Sequence, residues 1–161
     1  MPEIIITEDL LSPEDKITTN FTGQNPMRIC QNMKPLFEKV MQVEGKDTFE
    51  RVFKWDMLEE PRSFFNLWTA LREEDLWTKI IGKAVLQGKQ NSKTKAGTIK
   101  IEISGYLETK FEYSNFLQKA FWLAYNYMFY WKRRRQYMER GREYLFTMMN
   151  EITRELKIPK E

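Results

Sequence analysis

The clearest pattern in the chain is a strict alternation. Ile99, Ile101, Ile103, Gly105, Leu107 and Phe111 interleave with Lys100, Glu102, Ser104, Tyr106, Glu108, Lys110 and Glu112. A period of two with one dry and one wet face predicts a strand of an antiparallel sheet solvated on one side. From Leu76 to Gly88 the same period places Leu76, Ile80, Gly82, Ala84 and Leu86 on one face. Two further strands are predicted, one over Phe49–Asp56 and one from Pro61 through Leu71. In the first, Phe49, Phe53 and Trp55 are expected to share a face. The β-branched run Glu3–Thr7 opens the sheet. Turns are predicted at Glu73-Glu74-Asp75, across the polar stretch 89–97, and over residues 9–24, where Ser12-Pro13-Glu14-Asp15 and Gly23 supply turn chemistry.

Two segments carry the helical period instead. Asn25-Pro26 reads as an N-cap followed by proline at the first helical position. Ile29, Met33, Phe37, Val40 and Met41 then continue to about Val43, with Pro35 expected to kink or divide the helix. After Ser114 and Asn115, rows spaced by seven stay mostly apolar to Ile152. One row is Phe116, Leu123, Tyr130, Tyr137 and Tyr144, and another is Ala120, Tyr127, Arg134, Gly141 and Met148. They predict a terminal helix over about 116–156, lying on the sheet. Such a helix is roughly 60 Å long at ~1.5 Å per residue, so a break is expected near 131–133. Residues 116–131 are apolar nearly all round, which leaves a final strand or a separate helix open there.

Composition narrows the chemistry. At 161 residues a single domain, 1–161, is expected, with enough chain to bury a core. Histidine is absent, which removes Ser-His-Asp and Cys-His catalysis and most zinc and iron sites. The single cysteine, Cys30, excludes an internal disulfide and reads as core. Met1-Pro2-Glu3 does not open like a signal peptide, so a cytoplasmic protein is expected. Phe116–Trp131 falls short of the roughly 20 apolar residues of a membrane span. Residues 1–80 hold 10 Lys/Arg against 15 Asp/Glu, and residues 81–161 hold 16 against 8. That basic half fits an anionic partner or complements the acidic half.

A strand, a helix, a meander of long antiparallel strands and a long terminal helix together resemble the helix-grip fold of the START and polyketide-cyclase-like superfamily (SRPBCC). In particular the pattern resembles small archaeal members of that group. The resemblance rests on Thr48–Asp56, on Ile99–Thr109 and on the terminal helix. It implies an α+β fold: a curved antiparallel sheet wrapped around the C-terminal helix, with an apolar cavity between them. It further implies hydrophobic ligands such as lipids, polyketides or aromatic compounds. It transfers no catalytic residue.

The candidate ligand-binding residues follow from that architecture. Gly82, Ala84 and Gly88 on one strand, Gly105 on the next and Gly141 on the helix remove side-chain volume from inward positions. Trp68, Phe111, Tyr127 and Trp131 could wall the resulting space. Arg134 lies on an otherwise apolar row, where a guanidinium could hold a carboxylate or phosphate. Each has a plainer reading, as close packing for the glycines and as a slipped helix phase for Arg134. The expected partner is a hydrophobic or amphipathic small molecule. The alternative is an interaction module with a filled core, whose basic helix face (Lys132-Arg133-Arg134-Arg135) docks protein, anionic lipid or nucleic acid. Glu59-Glu60 and Glu73-Glu74-Asp75 lack calcium-loop spacing. A third reading is a carboxylate- or tyrosine-based enzyme such as a cyclase, for which no matched acid–base pair is visible; no cofactor is expected.

Overall fold

The computed structural model describes residues 2–157. In chain order the elements are β1 (Glu3–Asp9), β2 (Ile17–Gln24), α1 (Arg28–Met41), a 3-10 turn at Gly45–Asp47, β3 (Thr48–Trp55), β4 (Arg62–Glu73), β5 (Thr78–Gln90) and β6 (Ala96–Glu112). One terminal helix follows in three parts: α2 (Phe116–Tyr125), a π turn (Asn126–Tyr130) and α3 (Trp131–Glu155).

All six strands form one antiparallel sheet, in which β3, β4, β5 and β6 are consecutive neighbours. The 17-residue β6 is long enough to pair with two strands along its other edge. β1 takes its C-terminal half, from Glu3 opposite Glu112 to Asp9 opposite Tyr106. β2 takes the N-terminal half, from Ile17 opposite Ile103 to Gln24 opposite Ala96. Between β1 and β2 the chain leaves the edge, and Leu10 and Leu11 turn into the core, each 2% exposed.

The sheet buries one face. Ile80, Ala84 and Leu86 of β5 and Ile101, Ile103 and Leu107 of β6 are fully enclosed, as their alternation predicts. α1 covers part of this face with a stripe at helical spacing (Ile29, Met33, Phe37, Val40 and Met41) and packs against α3. From α3 come Arg134, Tyr137, Gly141, Leu145, Met148 and Ile152, spaced three and four apart, so they form one stripe along the helix.

Several expectations are corrected. Residues 17–24 form a strand, not a turn: Ile17, Thr19 and Phe21 alternate with exposed Thr18, Asn20 and Thr22. α1 begins at Arg28, because Asn25 adopts a left-handed φ of 48° and caps nothing. Pro35 lies inside an unbroken α1. Leu76 belongs to the β4–β5 turn, where it is 94% exposed. Phe49 does not share a face with Phe53 and Trp55. The register between β3 and β4 shifts between Glu50 and Val52, so Phe53 and Trp55 face inward beside Asn66 and Phe64, while Phe49 faces out opposite Thr69.

The terminal helix neither breaks at 131–133 nor gives way to a strand. Its irregularity is the π turn at Asn126–Tyr130, which inserts one extra residue into the winding. The row that Tyr130 and Tyr137 continue therefore passes back through Trp122 rather than Leu123. Trp122 is 4% exposed and Leu123 is 42% exposed. At the start of α2, Asn115 Oδ1 accepts from Gln118 N at 2.8 Å, and Gln118 Oε1 accepts from Ser114 N at 2.7 Å. This reciprocal pair satisfies two donors at the helix entry. Among the described residues no helix is long and apolar enough to cross a membrane.

Candidate ligand cleft

The space between α3 and the sheet is filled. A Cβ on Gly141 would lie 2.8 Å from Leu10 Cδ2, and one on Gly105 would lie 2.7 Å from the Ile81 carbonyl and 3.1 Å from Leu10 Cδ1. A Cβ on Gly82 would lie 3.1 Å from Met41 Sδ and 3.4 Å from Phe37. At Gly88 a Cβ would run into the Thr98 carbonyl of the adjacent strand. Ala84 is completely buried. Gly82, Gly105 and Gly141 thus admit Leu10, Phe37 and Met41 close to the backbone and do not open a cavity under the helix. The apolar volume expected beneath the terminal helix is the volume that the Leu10-Leu11 turn and α1 occupy.

The other candidates divide. Arg134 does point inward, at 7% exposure, but its partners are internal. Its Nε donates to Thr109 Oγ1 at 3.0 Å and its Nη2 to Glu8 Oε1 at 2.8 Å. Phe111 stacks on Trp122 with ring centroids 4.8 Å apart. Tyr127 is 82% exposed and points away from the core, and Trp131 is also exposed. Of the ten candidates, Trp68 alone lines the apolar cleft between α1 and the β3–β4 edge.

Arg134 begins a buried chain of hydrogen bonds whose direction is fixed by its ends. A guanidinium only donates and a carboxylate only accepts. The Thr109 hydroxyl therefore donates to Thr78 Oγ1 (3.0 Å), Thr78 to Tyr130 Oη (2.6 Å), and Tyr130 to Asp75 Oδ2 (2.6 Å). Tyr137 Oη also donates to Asp75 Oδ2, at 3.1 Å, while the amides of Trp77 and Thr78 hold Oδ1 at 2.8 and 2.9 Å. Burial pushes the Asp75 carboxyl up, but these four donors outweigh it and hold the group below its ordinary range. Burial raises the Tyr130 hydroxyl well above a free phenol, and the bond to Asp75 acts in the same direction. Next to this chain, Glu74 bridges Arg72 of β4 (3.0 Å) and Arg140 of α3 (2.6 Å). The two networks tie the terminal helix to the β4–β5 hairpin. The acidic turn and the Arg134 row both take part, although neither was legible as one half of a pair.

The open part of the inner face lies at the other side of the sheet. Phe53 and Trp55 on β3 are 46% and 37% exposed, whereas Ile80 and Ala84 on β5 are fully covered. A cleft of about 650 Å³ lies there, between α1 and the β3–β4 edge. Its floor is Trp68 and Asn66. Trp68 Nε1 donates to Asn66 Oδ1, and Asn66 Nδ2 donates to the Val52 carbonyl at 3.1 Å. Its walls are Phe53 and Trp55 on one side and Met27, Cys30 and Pro35 on the other. Pro35 has no amide to offer the Gln31 carbonyl. The side chains of Gln31, Lys34 and Glu50 rim the cleft. Burial, with Glu50 adding to it, pushes the Cys30 thiol up to about 12, so this wall is chemically inert.

A larger recess of about 830 Å³ beside the β4–β5 turn is lined mainly by charged side chains, among them Glu73, Asp75, Lys79, Lys110 and Glu112. Its lining is far more polar than that of the cleft, although Leu76, Trp77 and Phe111 contribute to it. Sequence reading missed the cleft because it forms between elements far apart in the chain. One signal was present: Asn66 is polar at an inward position between Phe64 and Trp68.

No protein-family model matches the chain. No curated protein is similar to it. Among solved structures, the Mll3558 protein of Rhizobium loti aligns over 90% of this chain and 99% of its own, at 9% identity and a TM-score of 0.21. That likeness is too slight to carry an argument about fold or function.

Proposed function

We propose that the chain is a helix-grip domain that binds a hydrophobic or amphipathic small molecule between α1 and the β3–β4 edge. The observation that carries this reading is the uncovered inward pair Phe53 and Trp55, which faces α1 across an apolar floor. The cleft volume lies within the usual range for small-ligand sites, roughly 300–1,000 Å³. A ligand that buries about 300 Å² of apolar surface gains roughly 7 kcal/mol, which leaves roughly millimolar binding after an association cost of about 4 kcal/mol. An apolar or aromatic body would lie between Trp55, Trp68 and Pro35. Its polar end would reach Asn66 or the Gln31 and Lys34 rim.

The test is a thermal-shift screen of straight-chain fatty acids and substituted naphthols, run in parallel on Phe53→Glu and Phe146→Glu. Both phenylalanines are about half exposed, so both variants should fold. The reading expects ligands that stabilise the wild type and Phe146→Glu but not Phe53→Glu. Hits that survive Phe53→Glu place the site elsewhere and overturn the assignment.

A further inference from the structure

The first part of the terminal helix projects from the fold with almost nothing packed on it. Between Phe116 and Phe129 the only buried side chain is Trp122. Trp122 rests on Phe111 and, edge-on, on Trp77. On the remaining surface Phe116 is 80% exposed, Phe121 73%, Tyr127 82% and Phe129 60%. Leu117 and Met128 add aliphatic area. Leu76, 94% exposed, is in the turn immediately before Trp77. This is a dense run of exposed apolar side chains, unlike the singly scattered ones normal on a soluble domain.

Along the helix the charges have one sign, while Glu73 and Glu112 lie by the adjacent β4–β5 turn. Between Glu112 and Glu139 the chain holds Lys119, Lys132, Arg133, Arg134 and Arg135 and no acidic residue. Arg134 is taken up by Glu8. Arg135 reaches Glu139 only at 3.9 Å, and Lys119, Lys132 and Arg133 have no carboxylate within salt-bridge reach among the described residues. The nearby acids Glu74 and Asp75 are engaged internally, by Arg72, Arg140, Tyr130 and Tyr137.

We propose that residues 116–135 dock the protein on an anionic lipid surface. Exposed Phe, Tyr, Leu and Trp side chains would enter the headgroup–acyl boundary, with Lys119, Lys132, Arg133 and Arg135 on lipid phosphates. A second copy fits less well, because a two-fold contact sets the same patch against itself and no carboxylate in the patch meets the cations. Single-stranded nucleic acid would use the aromatics and cations but has no use for Leu117, Leu123 and Met128. The segment is too short and too irregular to span, so it would lie in the interface plane. This inference does not depend on the cleft.

The test is flotation of the full chain with vesicles of phosphatidylcholine alone or of equal parts phosphatidylcholine and phosphatidylglycerol. The wild type should bind the anionic vesicles at least about tenfold more strongly, given about 1 kcal/mol per surface cation. Phe121→Glu with Phe129→Glu should abolish flotation, and Lys132→Glu with Arg133→Glu should lower it about tenfold or more. Phe146→Glu, on the far part of α3, should float like the wild type. The proposal is overturned if the double Phe variant floats unchanged, or if neutral vesicles bind equally well. A dimer that dissociates in the Phe variant would overturn it in favour of self-association. Retention of single-stranded RNA without vesicle binding would overturn it in favour of nucleic acid.

Discussion

Leu10 occupies the volume that Gly141 leaves empty: a Cβ at position 141 would lie 2.8 Å from Leu10 Cδ2 and 2.9 Å from Cδ1. Leu10 is also hydrogen-bonded through its amide to the Gly105 carbonyl at 3.1 Å, so the turn that delivers it is anchored to β6. The helix can approach the sheet this closely because one residue leaves β1 and enters the core.

This contact predicts a coupled pair. Gly141→Ala gains up to ~1 kcal/mol of helix propensity but overpacks Leu10, at a cost of about 1–3 kcal/mol. The net effect expected in denaturant unfolding is destabilisation. In a Leu10→Ala background the clash disappears, and the same substitution should become neutral or stabilising. Additive effects in the double-mutant cycle would show that the two residues do not share this space.

The Asp75 network predicts an acid-side dependence. Its folded-state pKa is depressed by donors from Tyr130, Trp77, Thr78 and Tyr137. The folded protein therefore holds the proton less tightly than the unfolded chain, and the contribution is present above the unfolded value of about 4. It is lost as pH falls through the lower folded value. Asp75→Asn should flatten part of this loss, leaving the contributions of Glu60 and Glu102, which are also depressed. Tyr130→Phe removes one donor from Asp75 and the acceptor of the Thr78 hydroxyl proton, and should cost about 1–3 kcal/mol at neutral pH. If urea midpoints between pH 3 and 7 fall equally in wild type and Asp75→Asn, the carboxylate is not held as described.

Cys30 should be silent to thiol reagents in the native state. With its pKa pushed to about 12, the thiolate fraction near pH 8 is about one part in ten thousand. Ellman titration should report a thiol only after unfolding, and rapid native labelling would mean that the wall of the cleft opens.

Much of the fold was legible because alternation fixes both strand and face. Ile99–Phe111 and Ile80–Leu86 show which side of the sheet is buried. β2 was hidden because Thr, Asn and Gly dilute its alternation and Ser12-Pro13 lies just upstream. Heptad rows failed at the π turn, since one inserted residue rotates everything before it, moving Tyr127 outward and Trp122 inward. The bulge in β3 had the same effect on Phe49. The candidate site suffered most. Small residues at inward positions read alike whether they leave a void or admit a neighbour, and the neighbour here, Leu10, comes from a segment read as an ordinary turn. The cleft depends on what α1 fails to cover, which no local pattern encodes.

The most direct test of the cleft is native mass spectrometry of the protein as purified, followed by organic extraction and identification of anything bound. The wild type and the Phe121→Glu, Phe129→Glu variant should carry the same apolar compound at near one-to-one stoichiometry, and Phe53→Glu should carry none. A compound retained by Phe53→Glu, or clean apo masses together with no stabilisation by any fatty acid or naphthol, would contradict a ligand site between α1 and the β3–β4 edge.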